Sequence, residues 1–120
     1  MSKIKWLAKP QGHDYPAARS YLSLIYDDER AGQFVAALKT APIVQFKSKD
    51  MFRAARLPLL DKTNFHVAKD RKMIKAGEKL SPILLVRDST ISRLVIADGY
   101  HRLCAVYSFD EDAVVPCKIV

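Results

Sequence analysis

Pro82-Ile-Leu-Leu-Val-Arg-Asp-Ser-Thr-Ile-Ser-Arg-Leu-Val-Ile-Ala-Asp-Gly-Tyr-His-Arg-Leu-Cys-Ala-Val-Tyr-Ser-Phe109 is the stretch on which the fold of this chain turns. Its two apolar runs, residues 83–86 and 94–97, contain no polar residue that would face water, so each reads as a central strand. The polar segment between them, Asp88 to Arg93, suits a hairpin-like turn. From Tyr100 to Phe109 the apolar spacing becomes helical. Two central strands running into a helix predict a small α/β (α+β) domain with a mixed sheet.

Working outward, Asp110 to Ala113 reads as a turn and Val114 to Val120 as a last strand, which Pro116 assigns to a sheet edge or a strand start. Upstream, Pro42-Ile-Val-Gln-Phe46 is a short β-branched strand, and Ser48 is read as the cap of a helical turn reaching Arg56. Leu57 to Asn64 is a loop by its proline and turn residues. A helix over about 65–76 ends at Gly77, a suitable residue just past a C-cap. Phe65, Ala68, Met73 and Ile74 are its inward positions, with Lys69, Lys72 and Lys75 outside.

Asp14 reads as an N-cap with Pro16 in the first turn of a helix over about 16–26, where Tyr21, Leu22, Ile25 and Tyr26 recur at helical spacing. Asp27 or Asp28 caps a second helix near 29–39, with Ala31, Phe34, Val35 and Leu38 as its apolar stripe. Residues 1–13 show neither periodicity and read as an irregular arm. The expected organisation is an arm and helical hairpin over 1–41, extending one compact unit over 42–120.

With 120 residues, 49% of them apolar and 28% charged, the composition is that of one globular domain. The net charge of +7 is concentrated between Lys47 and Lys79, where ten basic residues face four acidic ones. Such a field admits phosphorylated ligands and nucleic acid, and equally a merely solvated basic surface. Cys104 and Cys117 lie in apolar surroundings without CxxC spacing, so reduced core thiols are expected rather than zinc or a disulfide framework. No residue is assigned to a metal. No window approaches the ~18 apolar residues of a membrane span, and a soluble cytoplasmic protein is expected.

The chemistry concentrates where the second strand meets the helix. A helix that starts there has unpaired first-turn N–H groups and the positive end of its dipole, and Gly99 permits a tight turn. His101 and Arg102 supply donors suited to phosphate oxygens. Asp98 suits four roles: capping the helix, orienting His101 or Arg102, holding a metal, or accepting a proton. An Asp-Gly capping turn with a solvated His and Arg satisfies the same spacing.

Three segments, Ser81-Pro-Ile-Leu-Leu-Val-Arg87, Val95-Ile-Ala-Asp-Gly-Tyr-His-Arg102 and Val115-Pro-Cys-Lys-Ile-Val120, resemble the ParB/sulfiredoxin superfamily over about residues 42–120. The resemblance implies that Gly99, Tyr100, His101 and Arg102 hold nucleotide phosphates. It further implies that the helix around Thr63, His66 and Lys69 adds nucleotide contacts. Sulfiredoxins carry their reactive Cys where this chain has Tyr100, so sulfinic-acid repair is not expected. No helix-turn-helix of the chromosome-partition type follows in this sequence. Members that phosphorylate free serine carry Asp-Gly-His-His-Arg, one position away from Asp98-Gly-Tyr-His-Arg102. The resemblance therefore implies a phosphotransferase using ATP, ADP or CTP with magnesium on a small hydroxylated substrate, with Asp98 and His101 as catalytic residues. The alternatives are a nucleotide-sensing module without turnover and a nucleic-acid-binding or nuclease-like protein.

Overall fold

A computed structural model describes residues 3–120. The elements run β1 (Lys5–Trp6), α1 (Asp14–Ile25), α2 (Asp28–Thr40), β2 (Val44–Lys47), α3 (Ser48–Ala55), α4 (Phe65–Lys75), β3 (Lys79–Leu80), β4 (Ile83–Asp88), β5 (Arg93–Asp98), α5 (Tyr100–Phe109) and β6 (Val114–Ile119). The four-stranded sheet has the order β2-β6-β4-β5. It is mixed, because β6 runs parallel to β4 while β2–β6 and β4–β5 are antiparallel.

The continuous apolar runs follow from a sheet covered on both faces. Along β4, Ile83 and Leu85 enter one core together with Ile96 of β5. Leu84 and Val86 enter the other with Val95 and Ala97. Side chains alternate faces along a strand, so a strand sandwiched between helical layers has no position left for a polar residue. On the first face lie Met51 and Ala55 of α3, Val67 and Ile74 of α4, and Leu103 to Val106 of α5. Four consecutive buried residues in α5 mean that its middle is enclosed all round. On the second face, Ala18 and Leu22 of α1 and Ala31, Val35 and Leu38 of α2 form the cover.

Several local expectations change. The arm is not wholly irregular, for Lys5 and Trp6 pair in parallel with Lys79 and Leu80, a two-residue ladder too short to leave a periodic trace. Asp14 is not a cap; it is the first residue of α1, 2% exposed, and its carboxylate accepts from the Gln11 amide and the Ser81 hydroxyl. Ser48 likewise caps nothing, being buried with its hydroxyl donated to the carbonyls of Asp110 and Glu111. Asp27 does cap α2, accepting from the Arg30 amide at 2.8 Å. Strand β6 is interior rather than an edge. Pro116 is tolerated because pairing with β4 begins only at Cys117, one residue later.

Phe65 also departs from expectation, being 75% exposed while Val67 and Ile74 carry the buried side of α4. It is the first residue after the Asn64 cap, and helical side chains lean toward the N-terminus, so Phe65 projects off the helix end beyond any covering layer. No helix among the described residues is long and apolar enough to cross a membrane.

Leu22 is fully buried between α1 and the sheet. Leu22→Ala should therefore lower the unfolding free energy by about 2–5 kcal/mol. Urea unfolding followed by both circular dichroism and Trp6 fluorescence should show one shifted transition. Two separated transitions would mean that the α1–α2 layer folds independently of the sheet.

Candidate functional site

The corner between β5 and α5 is a single residue, Gly99, at φ 111°. That conformation strains any side chain, and space forbids one as well: a Cβ there would lie 2.9 Å from both Arg102 Nη2 and Ile83 Cγ1. A register shift just before the corner matches Leu85 with Ile96 but Leu84 with Asp98, leaving Ala97 as the extra residue of a bulge. The bulge re-aims Asp98 at the strand end. In α5 the Leu103 amide reaches back to the Gly99 carbonyl at 2.9 Å. The amides of Tyr100, His101 and Arg102 precede that bond, and Gly99 has no side chain to cap them.

Arg102 turns inward. Its Nη2 donates to Asp98 Oδ2 at 2.8 Å and to the Pro82 carbonyl at 3.3 Å, and it lies 3.9 Å from Asp14 Oδ2. Its Nε is buried without a partner. Burial raises the Asp98 carboxyl above its ordinary value, and the Arg102 charge opposes that rise without cancelling it. Of the roles open to Asp98, the structure shows the orienting one.

Beside the corner opens a cavity of about 200 Å³, lined by His66, Lys69, Asp70 and residues 98–102. Two helices start there: His66 is the second residue of α4 and His101 the second of α5. Their rings stand 4.8 Å apart. Burial holds the His101 imidazole below its ordinary value, His66 pushes it the same way, and Asp70 pulls against both. Burial raises the Asp70 carboxyl against the pull of Arg102, His101, Lys69 and His66. Neither Lys69 nor Asp70 enters an ion pair among the described residues. The lining thus holds a neutral-leaning imidazole, a free ammonium, a free carboxylate and an uncapped helix start, which is equipment for anion binding and proton transfer.

Of the residues singled out by sequence, His66, Lys69, Asp98, Gly99, Tyr100, His101 and Arg102 meet at this cavity. Thr63 does not line it; its amide and hydroxyl both donate to Asp61 in a local turn. Tyr100 donates its hydroxyl to the Pro58 carbonyl, which ties the loop before α4 to the start of α5. Asp70, four residues after His66 and on the same face of α4, joins the cavity as well. Asp14 and Ser81 stand behind Arg102, 67 residues apart in the chain, and no local pattern could join them. Cys104 is fully buried and its thiol is pushed up by burial, which removes it from consideration as a redox group.

Two larger depressions are mainly apolar. One, about 690 Å³, lies around Trp6, Ile43 and Phe109, and the other, about 460 Å³, around Phe46, Met51 and Leu94. Neither is lined by a histidine. Among the described residues no group of three His, Cys, Asp or Glu is placed to hold a metal.

Gly99→Ala should cost about 1–3 kcal/mol from the left-handed backbone alone, read as a lowered melting temperature with the far-ultraviolet spectrum retained. A second expectation concerns pH. Because folding depresses the His101 value below 6.5, the unfolded chain binds more protons as pH falls. The corresponding stability is present above 6.5 and lost on acidification through the lower folded value. Denaturation midpoints of His101→Gln should accordingly fall less on acidification from about pH 6.5 than those of the parent protein.

Comparisons of the chain with protein-family models, characterised proteins and solved structures find no match, so the chemistry assigned to this corner rests on its own residues.

Proposed function

We propose that the cavity at the start of α5 binds the phosphate chain of a nucleotide and that the protein transfers a phosphoryl group to a small hydroxylated molecule. The observation that carries this reading is the convergence of two helix starts on one small polar cavity holding His66, His101 and Lys69. Side-chain charges there nearly cancel, with Lys69 and Arg102 against Asp70 and Asp98, so the uncapped start of α5 and the imidazoles set the local preference for an anion. The resemblance of Asp98-Gly-Tyr-His-Arg102 to the phosphate-holding turn of the ParB/sulfiredoxin superfamily supports the same assignment.

Residue roles follow from the geometry. Phosphate oxygens accept from the amides of Tyr100, His101 and Arg102 and from the Lys69 ammonium. Arg102, committed to Asp98 and Asp14, positions the turn. His101, held neutral near pH 7, accepts the hydroxyl proton of the second substrate. That oxygen forms a bond to the terminal phosphorus as the bridging P–O bond breaks, and the shortened nucleotide departs. Magnesium, which ATP, ADP or CTP brings with it, is typically held by one or two carboxylates plus phosphate oxygens, and Asp70 fits that need. Bound there, it would neutralise charge on the phosphates.

A second reading has its own support in the exposed Lys69, Lys72 and Lys75 along α4, a basic face suited to nucleic acid. Oligonucleotide binding that falls steeply with salt and survives His101→Gln would favour it.

Nucleotides at about 100 times their dissociation constant should stabilise the fold by about 2.7 kcal/mol, seen as a rise in melting temperature. His101→Gln and Lys69→Ala should reduce that rise. Asp70→Asn should strengthen magnesium-free binding by removing a repelling charge and weaken binding in magnesium. Phosphorus NMR then reads turnover. Absence of any shift with ATP, ADP and CTP would refute the proposal.

A further inference from the structure

We infer that Phe65 is the base-recognition residue of this cavity, so that the site takes a nucleobase-bearing phosphate rather than a bare phosphate chain; the inference rests on the phosphate reading above. Phe65 is 75% exposed, the most exposed aromatic side chain among the described residues. Packing does not account for it, since α4 turns Val67 and Ile74 to the core. It does not itself line the cavity, but it stands beside residues that do. Lys69 follows four residues later on α4, hence on the same face of the helix, and Lys69 lines the cavity.

Rings connect the two places. The Phe65 ring lies 5.5 Å from that of His66, edge-on at 81°, and His66 lies 4.8 Å from His101 at the start of α5. From the Phe65 ring to the His101 ring, at the start of α5, there are thus two ring-to-ring steps of 5.5 and 4.8 Å. An open aromatic ring beside the proposed phosphate seat is what a base needs: stacking is tolerant of base identity, and neighbouring lysine holds the backbone phosphate. With three quarters of its surface exposed, the Phe65 ring keeps area open for stacking beside His66. Sequence periodicity assigned Phe65 to the core, and its exposure is the structural fact that redirects it.

The test compares ATP with inorganic triphosphate, both with magnesium, by calorimetry on the full chain. Phe65→Ala should melt at the parent temperature, because the side chain buries little. It should lose roughly 5- to 100-fold in ATP affinity, the range of one lost base stack, with triphosphate affinity unchanged. Phe65→Trp should retain ATP binding, and its added fluorescence should be quenched by ATP and not by triphosphate. Equal ATP affinity in Phe65→Ala and parent overturns the inference, as does an equal loss for both ligands, which would make Phe65 a prop of the cavity. If the parent binds triphosphate as tightly as ATP, the base site is refuted while the phosphate seat stands. If the parent binds neither, both fall.

Discussion

The guanidinium of Arg102 is the constraint around which this molecule is arranged. It sits on α5, in the helical layer of one sheet face, yet it reaches Asp14 at the start of α1, in the layer of the other face. Between them it holds Asp98 at the end of β5 and the Pro82 carbonyl at the approach to β4. One side chain therefore ties both layers and two strands at the same end of the sheet. Burying these charges is expensive, as the raised Asp98 carboxyl shows despite its cation at 2.8 Å. Such a cluster adds little net stability over an apolar replacement; what it imposes is geometry, and removing one member strands the others in a poorly solvated place.

The geometry it imposes is that of the corner. Arg102 Nη2 occupies the space above Gly99, so the turn is closed to any larger residue, and no side chain caps the first amides of α5. Tyr100 then fixes the loop before α4 through Pro58, and Asn64 caps α4 so that its own start faces the same cavity. The cavity is thus a consequence of helix placement. It would exist even if each lining side chain were exchanged for another of similar size.

What was legible in the sequence and what was not divide along the range of the interactions. Strands β4 and β5 could be read because a sheet covered on both faces requires apolar residues at every position, and α5 because helical spacing follows at once. The corner was legible as chemistry for the same reason: its residues are adjacent. Asp14 was misread as a cap, since an acidic residue before a proline looks identical whether it accepts from its own helix or from Ser81, which lies 67 residues away. Ser48 was misread in the same way, its true acceptors being Asp110 and Glu111. Pro116 suggested an edge because a single strand does not disclose where its neighbour begins. Nor could spacing tell that Arg102 turns inward, which shifts it from ligand contact toward positioning.

That shift changes how the site can work. With Arg102 paired to two carboxylates, the charge available to a ligand is Lys69, the uncapped start of α5 and whatever proton His101 carries. Burial and the neighbouring His66 ring both hold His101 toward its neutral form. An anion seated against His101 opposes that effect, since its charge favours the protonated form. On the proposed reading, ligand capture and proton uptake are linked, and a proton accepted by His101 from a hydroxyl would be stabilised by the phosphate being transferred. A fixed arginine in the same place would bind the anion more tightly but could accept no proton. The inward turn of Arg102 and the placement of His101 at the mouth are therefore two halves of one arrangement, permanent charge behind the turn and titratable charge in front of it.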